Sequence, residues 1–95
     1  MPEMHFRIRW PDGSVASCYS PSLIVKEYLT VGQTYALPDF VTRCRTALTI
    51  AGERVRQKYG FYCTGASSQL SQIETTAAQF SQNAQAQVSV IEFDG

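Results

Sequence analysis

Three cysteines and one histidine are the side chains of this 95-residue chain with the most obvious reactive potential. Cys63, in YGFYCTGAS, precedes a helix start. A helix dipole and open backbone N–H groups there would lower a thiol pKa and favour a nucleophile or a ligand contact. The competing reading is a thiol packed under a helix–helix corner. Cys18, in SCYSPS, sits at a strand end. Cys44 falls on an apolar helical stripe, where a free cysteine acts as a small hydrophobe. His5 and the cysteines lack the tight ligand pairs of zinc sites, so no metal is expected. Trp10 and Tyr62 lie near element ends among a surplus of aromatics. With Cys18 and Cys63 they form the candidate ligand-contacting set. No glycine-rich phosphate loop, dinucleotide fingerprint or nucleophile elbow occurs, and no cofactor is expected. The carboxylates form no dyad. Asp12 reads as a turn residue, Asp39 as a helix cap, and Glu53 as a surface charge three residues before Arg56.

The element that must position these groups is the stretch 39–60, DFVTRCRTALTIAGERVRQKYG. Asp39 can act as N-cap. Phe40, Cys44, Ala47, Leu48, Ala51 and Val55 recur at three- and four-residue steps on one helical stripe. Gly60 suits the left-handed residue that ends a helix, and Gly52 costs about 1 kcal/mol relative to alanine in a helix interior. Arg43 and Arg54 fall on one flank of the stripe, Arg45 and Arg56 on the other. The arginines therefore bracket the seam rather than form a basic ridge, which argues against a nucleic-acid surface.

Met4, Phe6, Ile8 and Trp10 alternate with His5, Arg7 and Arg9, the pattern of a half-buried strand. Pro11-Asp12-Gly13 is a turn, and residues 14–19 return as a second strand. Val15/Tyr19 and Ala16/Cys18 compete for its inner face. Ser20 as N-cap and Pro21 at the first helical position open a short helix to about Thr30, with a strand over 23–25 as the other reading. Residues 31–38 read as a connection broken at Gly32. Ala66, Leu70, Ile73, Ala77 and Phe80 define a third helix. Residues 81–87, SQNAQAQ, continue it or form a linker. Residues 88–93 are a closing strand with a phase break at Val90-Ile91, where a bulge fits.

The expected fold is α+β in the order ββαααβ. Its three-stranded antiparallel sheet is the N-terminal hairpin plus the C-terminal strand, set beside residues 4–10. Two or three helices cover one face. Phe6, Ile8, Trp10, Leu48, Ala51, Val55, Leu70, Ile73 and Val90 form the expected core, and His5, Arg7 and Arg9 line the open face.

Ninety-five residues suit one domain, 1–95. Eight basic and eight acidic residues balance, so no net field draws the chain to nucleic acid or to an anionic membrane. No apolar run reaches the ~18–20 residues of a membrane span. The charged, alternating N-terminus does not read as a signal peptide. Free, widely spaced cysteines fit a reducing cytoplasm.

MPEMHFRIRWPDGS, SCYSPS, YALPDF leading into RCRTAL, ERVRQKYGFYC and the QLSQIE helix together resemble a family of small bacterial nitrogen-starvation response proteins. The resemblance covers nearly the whole chain up to Phe80. Genes of that family lie beside a nitrilase, a radical-SAM protein, an acetyltransferase and a flavin-dependent oxidoreductase. The resemblance implies cytoplasmic work in nitrogen scavenging and carries no catalytic residues. With no catalytic signature, the expected function is a non-enzymatic accessory or binding protein that docks a cluster protein or carries its small ligand. The alternative is a small thiol-dependent enzyme or ligand carrier using Cys63. A homodimer through the sheet is a further expectation for partners.

Overall fold

The computed structural model describes residues 3–61 and 64–94. Strand β1 (Met4–Arg9) turns through Pro11-Asp12-Gly13 into β2 (Val15–Ser20). Gly13 takes φ 89°, a value side-chain-bearing residues rarely adopt. Asp12 Oδ1 accepts the Ser14 backbone N–H at 2.9 Å and the Ser14 hydroxyl at 2.6 Å. These bonds hold the Asp12 carboxyl below its ordinary pKa, the hydroxyl bond being the larger cause. On β2 the contest for the core goes to Cys18 and Ser20, with Ala16 half-buried and Val15 left in solvent.

The sheet has four antiparallel strands in the order β2-β1-β4-β3, not three. β4 (Gln87–Asp94) pairs with β1, as the sequence suggested. The extra strand, β3 (Thr34–Ala36), lies within what reads as a connection and pairs with residues 87–89 of β4. Gly32, at φ 88°, turns the chain so that its N–H reaches the Val90 carbonyl, and Val90 N–H reaches the Gln33 carbonyl. Three residues are too few to display a period of two, so only the pairing with β4 reveals this strand. The phase break at Val90-Ile91 is a bulge: Arg7 opposes Glu92 while Ile8 opposes Val90, leaving Ile91 over.

The short helix α1 is only Val25–Tyr28. Ser20 ends β2 instead of capping a helix at Pro21, because its buried hydroxyl donates to the Ser22 carbonyl at 2.7 Å. Ser22 Oγ in turn accepts the Ile24 N–H, and also Arg54 Nη1 at 3.1 Å. Helix α2 (Leu37–Tyr59) starts two residues before Asp39, with Pro38 in its first turn and Ala36 at the N-cap without a side-chain bond. The Leu37 N–H is satisfied by the Ala86 carbonyl, so no capping side chain is needed there. Asp39 occupies the first turn, where a carboxylate suits the dipole, and binds Arg43. Gly60, at φ 82°, ends the helix as the spacing indicates.

Helix α3 (Thr64–Ala78) packs on α2 and over β2, while α2 reaches β3 and β4. Of the two readings of 81–87 the linker holds: α3 ends at Ala78, residues 79–86 connect it to β4, and Gln87 already belongs to that strand. The connection is made of successive turns, with Asn83 N–H on the Phe80 carbonyl and Ala86 N–H on the Asn83 carbonyl. Every expected core residue is buried except Leu70, which is half-buried. Each fully buried aliphatic or aromatic side chain removes from water surface worth about 1.5–3 kcal/mol. His5, Arg7 and Arg9 face solvent on the open side.

Candidate functional site

Of the four candidate ligand-contacting residues, Tyr62 and Cys63 lie outside the described residues. The other two are brought together, at the seam of β1, β2 and α3. Trp10 is 5% exposed, edge-on to Phe40 (centroids 5.8 Å, 81°) and stacked on Phe80 (6.1 Å, 17°). Cys18 points inward from β2. Trp10 and Cys18 share a cleft of about 70 Å³ with Ser17, Gln69, Gln72 and Ile73. That volume is far below the roughly 300–1,000 Å³ of small-molecule sites. Burial pushes the Cys18 thiol up to about 12. Burial raises Cys44 too, with Cys18 nearby as a lesser cause. Both thiols are protonated at neutral pH, and thiols are nucleophilic as thiolates. This pair therefore packs the core.

Of the larger concavities, two draw mainly on residues that the sequence did not single out as ligand contacts, with Trp10 the exception in the second. One, of about 440 Å³, lies between the start of α2 and the end of α3, lined by Leu37, Pro38, Val41, Ala77, Phe80 and Ala84. At its rim Arg45 donates Nε and Nη2 to Glu74 Oε2, at 3.2 and 2.8 Å. The other, of about 360 Å³, lies where the β1–β2 turn meets the start of β4. Its walls are Arg9, Thr34, Asn83, Gln85, Gln87 and Ser89, with Trp10, Pro11, Gly13 and Ala86 completing it. The Thr34 and Ser89 hydroxyls meet at 3.0 Å, and Asn83 Oδ1 accepts the Gln85 N–H at 3.0 Å. Trp10 and the polar run 81–87 were the available signals for this groove, and only the fold brings that run beside Arg9.

The arginines sort by partner. Arg7 pairs with Glu92 across the sheet at 2.7 Å, and Arg56 with Glu53 along α2. Arg43 binds Asp39 and the Tyr28 carbonyl and lies over the Tyr35 ring, while Arg54 reaches Ser22. They bracket the helix seam and do not converge. Arg9 has no ion pair or side-chain hydrogen bond among the described residues. At the far end of α2, Phe61 is 64% exposed beside Tyr59 (centroids 6.1 Å).

Among the described residues no group of three or more His, Cys, Asp or Glu could hold a metal, and no helix is long and apolar enough to cross a membrane. No curated protein matches the chain. No solved structure matches it either. A family model does, over residues 5–93, nearly the whole chain. The chain belongs to the family of nitrogen starvation-induced proteins NitG.

Proposed function

We propose that this chain is a non-enzymatic accessory protein of the nitrogen-starvation response, working in the cytoplasm. It holds a small carboxylate-bearing nitrogen metabolite in the groove beside Arg9. The observation that carries this reading is the groove's lining: one unpaired guanidinium among uncharged amides and hydroxyls. A guanidinium offers a fork of donors that fits a carboxylate. The amides of Asn83, Gln85 and Gln87 both donate and accept, which suits an amide or amino nitrogen on the same ligand. Among the described residues the lining has no His, Cys, Asp, Glu or Lys. A general acid or base is missing from it, and its hydroxyls have no adjacent base to activate them. That supports holding over turnover. The resemblance to a family encoded beside a nitrilase fits a ligand handed to or taken from such an enzyme.

Thermal shift and calorimetry with small carboxylates bearing an amide, against neutral amides lacking the carboxylate, test the reading. Stabilisation by the carboxylates alone, lost in Arg9→Gln, is the expected result. If no carboxylate raises the melting temperature, or if Arg9→Gln responds like the parent, the groove is not a binding site. The alternative, an enzyme or carrier built on Cys63, is decided by the alkylation rate of that thiol against pH.

A further inference from the structure

We propose that this protein forms a two-fold homodimer by antiparallel pairing of β2 with β2 of a second copy, giving one continuous eight-stranded sheet. The inference is independent of the Arg9 groove.

β2 is an outer strand of the sheet. In the β1–β2 hairpin the Trp10 N–H bonds the Ser14 carbonyl, and the register carries on as Ile8–Ala16, Phe6–Cys18 and Met4–Ser20. Alternation in an antiparallel ladder then points the backbone N–H and C=O groups of Val15, Ser17 and Tyr19 away from β1. The Tyr19 N–H confirms the phase, since it donates to Gln69 Oε1 on α3 at 3.0 Å. Neither Val15 nor Ser17 has an outward backbone partner among the described residues.

Natural edges are usually blunted by charge, proline or brevity. The opposite edge follows that rule. β3 is three residues long, and the part of β4 beyond it carries Glu92 and Asp94. β2 breaks the rule: residues 13–20, GSVASCYS, contain no charge and no proline. The helix beside it is equally bare. Its flanking residues Gln69, Gln72 and Thr76 are uncharged, and Glu74, the one charge in α3, is held by Arg45. A second copy brought to this edge therefore meets no like charge.

The strand is also self-complementary. With Ser17 on the two-fold axis, Val15 of each copy opposes Tyr19 of the other. A β-branched residue beside an aromatic is a favourable cross-strand pair. In that register the outward groups of residues 15, 17 and 19 all become hydrogen-bonded pairs. Gln69 then acts as a stand-in: its amide oxygen occupies, in the single copy, the position that the Val15 carbonyl of the second copy would take.

Sedimentation equilibrium on the purified chain and three variants tests this. The parent should sediment at twice the chain mass. Ser17→Lys places two ammonium groups across the axis, and Ser17→Pro removes an N–H that β1 does not use. Both should be monomers with unchanged circular dichroism. Gln69→Ala removes the competitor for the Tyr19 N–H and should tighten the dimer about five-fold, the scale of one net hydrogen bond. A parent that stays monomeric at high concentration overturns the proposal. So does a folded Ser17→Lys that keeps the dimer mass.

Discussion

The Trp10 ring lies against the Phe80 ring, centroids 6.1 Å apart and planes 17° from parallel, and this contact pins the turns after α3 to the end of β1. Phe80 is half-buried and covers one side of an indole whose edge already meets Phe40. Phe80→Ala should therefore cost about 2–3 kcal/mol, below the roughly 3–5 kcal/mol of a fully buried phenylalanine. Because Trp10 is the sole tryptophan, its emission should shift to the red in the folded variant. Urea unfolding followed by fluorescence measures both, and an unshifted spectrum with parental stability would count against the contact.

Leu48 and Arg45 share α2 but differ in what they contribute. Leu48 is among the largest fully buried side chains, and Leu48→Ala should lower stability by about 2–5 kcal/mol. Arg45→Gln breaks an ion pair in which both side chains are about half exposed, and should cost under about 1 kcal/mol. Chemical denaturation of the two variants side by side gives the ratio.

The buried thiols make stability fall in alkali. Cys18 is pushed from 9.0 to about 12 by burial. Below pH 9 both folded and unfolded chains hold the proton, and the thiol has no pH effect. Between pH 9 and about 12 the unfolded chain loses a proton that the folded chain keeps. Stability then drops by up to about 1.4 kcal/mol per pH unit for each such thiol. Cys44 shifts the same way. Cys18→Ala should show a shallower decline over that window than the parent. At neutral pH, iodoacetamide should label Cys18 and Cys44 only after unfolding, which mass spectrometry of the digested protein reads out.

Gly60 closes α2 at φ 82° with open space where a Cβ would stand. Gly60→Ala therefore meets backbone strain and no clash, and should cost about 1 kcal/mol. A melting curve checks it, and an unchanged midpoint would mean that the α2–α3 corner relaxes around the substitution.

The parts of the fold legible in the sequence are those with a repeated local signal. The six-position stripe of α2, the alternation of β1 and the Pro-Asp-Gly turn each state their period or turn chemistry directly. The parts that were not legible depend on partners distant in the chain. β3 exists because Gly32 and Gln33 meet Val90, nearly sixty residues on. The start of α2 moved because Ala86 supplies a carbonyl to Leu37, a bond no local pattern announces. α1 shrank because Ser20 and Ser22 bond one another and Arg54 rather than capping at Pro21. Trp10 was singled out as an aromatic near an element end and Cys18 as a thiol; tertiary packing buries both, and Trp10 also lines the Arg9 groove. The Arg9 groove draws on β1, β3, β4 and the turns before β4, so it had no single stretch in which to show itself.

One supernumerary residue, Ile91, resets the inside–outside alternation of the last strand. Val88 and Val90 reach the core before it and Phe93 packs there after it, while Glu92 and Asp94 stay in water. An unbroken rhythm from Val88 would have driven both carboxylates under the helices. The closing segment is thus spelled in two phases joined at Ile91; without that residue the remaining sequence would read as a single phase, with Val88, Val90 and Phe93 inward and both carboxylates outward.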